Sequence, residues 1–221
     1  MIREILYLLK KEIMLEWKQK YAFNGLVLYV LSMVMVISLA FVDNMAPETW
    51  NIIYWIILLF VAINAIARSF LSESQGQMMY LYNLAHPVAV ILAKIVYNSF
   101  LLFLIAGITL VFFQFLGGVH ILTPLRLLGI TFAGSAALSA NLTLVSAIAS
   151  RAENKTTLLA VLGFPLIVPL LLLLIRISRP AIEGAGGMVG NVSGDSLGMV
   201  GGITLALIIF SVILFPFVWK E

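Results

Sequence analysis

Residues Arg68–Lys94 read RSFLSESQGQMMYLYNLAHPVAVILAK, a polar interruption between two hydrophobic runs. Its reading decides the fold, because nearly everything around it is apolar. Of 221 residues, 62% are hydrophobic and 10% charged, against roughly 25% charged in an average soluble chain. Runs near the length that crosses about 30 Å of hydrocarbon recur along the chain. There are six, at about 23–42, 51–67, 95–116, 127–149, 157–175 and 199–219. The expected fold is thus an all-α integral membrane protein, with residues 1–221 forming one six-helix transmembrane domain and 68–94 its main polar loop. The second run is the shortest and contains Asn64, which predicts that it leans on a partner helix or meets a thin bilayer.

The basic residues orient these spans. Arg3, Lys10, Lys11, Lys18 and Lys20 precede the first run; Arg68 and Lys94 flank the interruption; Arg151, Lys155 and Lys220 fall in later segments of the same parity. Only Arg126, Arg176 and Arg179 fall on the other side. Cytoplasmic segments concentrate Lys and Arg, so both termini and the 68–94 loop are expected in the cytoplasm. No short apolar core with a small-residue cleavage site precedes the first run, so no cleavable signal peptide is expected.

Residues 1–21 are too polar to span. Ile2, Ile5, Leu6, Leu9, Ile13 and Trp17 fall on one helical stripe with the basic residues mostly elsewhere. That pattern fits a helix lying in the membrane interface, its lysines toward anionic headgroups; an ordinary basic flank is the alternative. Between Glu183 and Gly202, eight of twenty residues are glycine, which loses much backbone entropy on ordering and reads as a flexible outer hairpin. Asn191-Val192-Ser193 within it matches a glycosylation sequon.

The chain carries little recognisable chemistry. It has no cysteine, which removes disulfides, thiolate metal sites and C-x-x-C-H haem attachment. It has neither G-x-x-x-x-G-K-[ST] nor H-E-x-x-H, so no P-loop nucleotide site and no zinc protease motif is expected. His86 and His120 fall on opposite sides of the membrane and cannot share a metal; each reads as a solvated loop histidine or, alternatively, a haem-iron ligand. No carboxylate lies within a run, which counts against a proton-coupled transporter. Polar residues inside the runs, all uncharged, include Asn64, Asn98, Gln114, Ser135, Ser139, Asn141, Thr143 and Ser146. In the fourth run Gly129, Gly134, Ala136, Ala137, Ser139 and Ala140 permit close helix approach. These residues read as packing, with a substrate path as the alternative. Pro165 and Pro169 remove backbone donors from the fifth run and predict a kink.

A membrane domain with a structured loop and no energy source of its own points to a motor docked on that loop. Ser72-Glu73-Ser74-Gln75-Gly76 starts like a helix, with a serine cap and an acidic first turn. Pro87 forces His86 out of helical geometry, predicting a break there and re-entry into the third span at Lys94. The result reads as a lateral helix on the cytoplasmic face, or as an amphipathic re-entry without a partner.

The loop pattern E-x-x-G…L…P…K, at Glu73, Gly76, Leu84, Pro87 and Lys94, resembles that of ABC-2-type permeases. KKEIMLEWKQKYAFNG (10–25) and GFPLIVPLLLLLI (163–175) more closely resemble CcmB, the haem exporter permease family of cytochrome c maturation, over essentially the whole chain. The resemblance implies an ABC-2-type permease architecture and a transport role, not an enzyme, in the bacterial inner membrane, acting in haem delivery for c-type cytochrome biogenesis. It implies two partners: a separate ABC ATPase, and the haem-handling membrane protein that is the C component of the same maturation system. A second copy of the chain and the lipid bilayer are further contacts, and no nucleic acid is implied. Glu73, Gly76 and Pro87 then belong to the element that couples to the ATPase. No cofactor is expected on this chain: ATP belongs to the partner, and haem is a possible cargo. Two alternatives stay open, a scaffold that transmits ATP-driven movement to a haem-loaded partner without passing haem, and an ABC-2 permease for another cargo such as a lipid or drug.

Overall fold

A computed structural model describes residues 2–18, 20–41, 45–71, 86–117, 121–150, 155–183 and 194–220. Among them are seven helices: α1 (Ile2–Lys18), α2 (Lys20–Ala40), α3 (Pro47–Leu71), α4 (Pro87–Gly117), α5 (Pro124–Ala149), α6 (Lys155–Glu183) and α7 (Gly194–Lys220). Three of them open on proline. Proline suits the first helical position, because its fixed φ is already helical and its missing N–H would have no intrahelical partner there. The last six helices are long and apolar enough to cross a membrane, over Phe23–Ala40, Pro47–Ile66, Pro87–Leu116, Pro124–Ala149, Val161–Ile182 and Gly198–Pro216.

Several boundaries differ from those read from the sequence. The second span belongs to a helix of 25 residues, so it is not short. It does lean on other helices, packing against α4, α5 and α6, while Asn64 Nδ2 donates within its own helix, to the Phe60 carbonyl one turn back at 2.9 Å. The helix of the third span, α4, begins at Pro87 rather than near Lys94. The break expected at His86-Pro87 is the helix start itself: the His86 carbonyl accepts from the N–H groups of Ala89 and Val90 at 2.9 and 3.2 Å. Lys94, read as a loop residue, is therefore inside α4 and only 2% exposed. Arg176 and Arg179, read as lying in the last outer loop, are on α6, which stays helical through Pro165, Pro169 and Pro180.

α5 is the central element. It packs against α3, α4, α6 and α7, and 78% of its span is buried, against 17% for α2 and 22% for that of α7. Its small residues explain this position. A Cβ on Gly134 would lie 2.6 Å from Trp55 Cη2 and 3.0 Å from Leu174 Cδ2, so only a hydrogen side chain lets α3 and α6 close on α5 at that level. Gly129, on the same helix, has nothing within 4 Å of that position. Hydroxyls elsewhere in the spans are satisfied inside their own helix: Ser38, Ser99, Thr109, Thr204 and Ser211 each donate to the carbonyl four residues back, at 2.7–2.8 Å. Such back-bonding removes the penalty of a polar group in hydrocarbon.

α1 does not present its apolar stripe to lipid alone. It packs against α4 and α2, with Leu8 and Leu9 against the buried clusters of the bundle. Leu6 and Ile13 of the same stripe point outward, 60% and 48% exposed. The stripe is split, one edge on protein and the other outside it.

Candidate functional site

Of the three residues placed in the coupling element, Pro87 opens α4 at the exposed His86. Glu73 and Gly76 lie outside the described residues, as does His120. Among the described residues no group of three His, Cys, Asp or Glu side chains could hold a metal.

The polar residues of the spans sort into three groups along the bundle. One end carries Asn51, Trp55, Ser178 and the starts of α3 and α5. There the Ser178 hydroxyl accepts from Trp55 Nε1 at 2.8 Å, and its single proton can go to Asn51 Oδ1 or to the Leu174 carbonyl, both at 2.7 Å. Asn51 Nδ2 donates to the Ile175 carbonyl at 2.8 Å. Arg179 and Glu48 form an ion pair at the rim, and Thr123 donates through both its backbone N–H and its hydroxyl to the Ala181 carbonyl at 3.2 Å. At this end α3, α5 and α6 are thus tied by hydrogen bonds as well as by packing. Trp50 adds an aromatic wall, stacked on Tyr54 and Phe113 with centroids 5.5 and 5.2 Å away. Tyr54 in turn shares a hydrogen bond of 3.2 Å with Thr131.

The middle of the bundle is pinned through α5. Asn98 Nδ2 donates to Thr143 Oγ1 at 3.0 Å, Ser139 to the Ile95 carbonyl at 2.9 Å, and Ser146 to the Ile66 carbonyl at 3.4 Å. Positions 139, 143 and 146 follow the i, i+4, i+7 spacing of one helix face, so a single polar stripe reaches α4 and, at its end, α3. Asn141 lies off that stripe. Its carboxamide is buried, and neither polar atom has a partner among the described residues.

The third group is the pair Lys94–Glu12, with Nζ and Oε1 3.4 Å apart and the two side chains 2% and 16% exposed. It joins α1 to α4. No sequence signal marks it, because the partners are 82 positions apart and a lysine at the edge of an apolar run reads as the end of a span. Ser178 and Asn51 escape a sequence reading for a related reason: both sit beside run boundaries, where a polar residue reads as loop.

What this arrangement does chemically is hold helices. The polar atoms of Asn51, Trp55, Asn98, Thr143 and Ser178 bond to one another or to backbone. No curated protein matches the chain. The sequence model of the family described as "CcmB protein" matches residues 3–219, nearly the full length over which the six span-length helices are laid out. The chain is a multi-pass membrane protein and belongs to the CcmB protein family.

Proposed function

We propose that this chain is the permease of an ABC transporter for haem delivery in c-type cytochrome biogenesis, driven by a separate ATPase. The observation that carries the proposal is the family match over residues 3–219. In this reading the chain is no enzyme and binds no cofactor of its own: ATP sits on the partner, and haem is the cargo. It works in the bacterial inner membrane with both termini in the cytoplasm, beside the haem-handling C component of the maturation system and a second copy of itself. Glu73, Gly76 and Pro87 form the element on which the ATPase closes, and Pro87 opens α4 directly, so movement delivered there enters a helix of 31 residues.

A second reading is a scaffold that passes movement, not haem, to a haem-loaded partner. It is favoured by the polar stripe of α5, whose Ser139 and Thr143 are occupied by bonds to α4 instead of being offered to a cargo. The test begins with loss of the chain, which abolishes c-type cytochromes if the cargo pathway is right and leaves them normal if the cargo is a lipid or drug. Glu73→Arg then leaves the permease in the membrane but loses ATPase co-purification and cytochrome production; a normally assembled, fully active Glu73→Arg complex refutes the coupling role. Haem trapped between the helices of this chain would reject the scaffold reading.

A further inference from the structure

We propose that Glu12 and Lys94 are positioning residues whose ion pair makes α1 move as one body with α4. The inference rests on the reading above, in which the driving movement enters at the start of α4.

Lys94 lies seven residues beyond Pro87, about 10 Å along the axis at about 1.5 Å per residue. Its side chain is 2% exposed, and its neighbours Val90, Ile91 and Ile95 are buried in a cluster that also takes Leu8 of α1. An ionisable group inside a span is costly and marks function more often than packing. Stability alone does not account for it here. In an apolar bed of this kind, replacing both members of such a pair by hydrophobic side chains is commonly neutral or stabilising, because the desolvation of two charges is avoided; it is the loss of one partner alone that is costly. What the pair adds is register. The apolar contacts of Leu8 and Leu9 tolerate sliding and rotation. The ion pair does not: a slip of one residue on α1 turns Glu12 by about 100°, and a slip of one turn moves it by about 5.4 Å.

Specificity of registry is the best-attested use of a buried polar contact. α1 is suited to carry such movement, because it meets the bundle on one side only. Its opposite side exposes Arg3, Lys10, Leu6 and Ile13, cationic and apolar groups suited to an interface. A displacement of α4 is therefore passed across the pair to a helix that contacts surroundings α4 does not reach.

The experiment uses the intact complex in membranes, comparing wild type, Glu12→Gln, Lys94→Met and the exchanged pair Glu12→Lys/Lys94→Glu, with Glu73→Arg scored separately for ATPase co-purification. The readout is c-type cytochrome formed per ATP hydrolysed by assembled complex, which a purely structural defect does not move because unassembled chain is not counted. Glu12→Gln and Lys94→Met are expected to lower that ratio about tenfold, within the range over which coupling networks respond to single changes. The exchanged pair is expected to recover most of the loss. Single variants at the wild-type ratio, or an exchanged pair as poor as the singles, overturn the proposal. If Lys94→Met does not accumulate, Glu12→Gln, which keeps the shape of the side chain, carries the test. A wild-type chain that assembles with no ATPase refutes the underlying reading and this inference together. A wild type sensitive to Glu73→Arg beside an indifferent Glu12→Gln refutes the ion pair alone.

Discussion

Gly134→Ala and Gly129→Ala are the same chemical change on the same helix, and the bundle is expected to treat them oppositely. Each exchanges glycine for the best helix former, worth about 1 kcal/mol in a helix interior. At Gly129 nothing lies within 4 Å of the new methyl group, so that gain is kept. At Gly134 the methyl group meets Trp55 Cη2 at 2.6 Å, Trp55 Cζ3 at 2.8 Å and Leu174 Cδ2 at 3.0 Å. The leucine methyl is the end of a flexible side chain and can turn away. The indole cannot: it is a rigid ring, wholly buried, and its Nε1 is held by Ser178 at 2.8 Å.

Overpacking of this kind costs about 1–3 kcal/mol, and moving the ring to relieve it stretches the hydrogen bond. The propensity gain is common to both variants, so the difference between them isolates the clash at about 1–3 kcal/mol. For a chain of this size that corresponds to melting temperatures roughly 2–12 °C apart. Thermal unfolding of the detergent-purified protein, followed by intrinsic tryptophan fluorescence, measures it. Trp55→Phe removes the six-membered ring that the methyl group meets, so the Gly134→Ala/Trp55→Phe double variant is expected to lose less stability than the sum of the singles. Gly134→Ala melting with Gly129→Ala, or strict additivity in the cycle, would refute the close approach of α3 to α5.

Three further changes probe the polar ties. Ser178→Ala leaves Trp55 Nε1 without its acceptor and removes the hydroxyl whose proton Asn51 Oδ1 or the Leu174 carbonyl accepts; a cost of about 1–3 kcal/mol is expected for stranding a buried group, and thermal unfolding equal to wild type would show that the network contributes nothing. Asn141→Leu removes two buried polar atoms that have no partner among the described residues, so it is expected to keep or raise the melting temperature. Asn98→Leu, which strands the Thr143 hydroxyl, is expected to lower it, and the reverse order would mean that Asn141 has a partner and Asn98 does not need one.

The six spans are legible in the sequence because a run of apolar residues long enough to cross hydrocarbon has few other stable forms in a chain with so little charge. Their ends are less so, and for one physical reason. A charge or proline beside an apolar run reads as the end of the helix, although the helix needs only that its own backbone be bonded and its side chains find tolerable surroundings. Pro47, Pro87 and Pro124 mark starts because the first turn requires no donor from them, which places the start of α4 at Pro87 rather than at the apolar run that begins with Ile95. Arg176 and Arg179 extend α6 because they fall on its exposed side, Arg179 beside Glu48, while Ile177, Ser178, Ala181 and Ile182 around them are buried.

Lys94 is the instructive case, since it is paired with Glu12, far away in sequence and on a different helix. Local pattern reports which residues prefer water; it does not report which polar residues have been given a partner. The same limit applies to glycine. Gly129 and Gly134 are equivalent in a small-residue stripe, and only the position of Trp55 makes one of them indispensable. In a membrane bundle, where lipid competes equally for every apolar surface, the contacts that distinguish one arrangement from another are these few close approaches and paired polar groups. They are the part of the fold that a hydropathy pattern is least able to carry, and the part on which movement between arrangements must act.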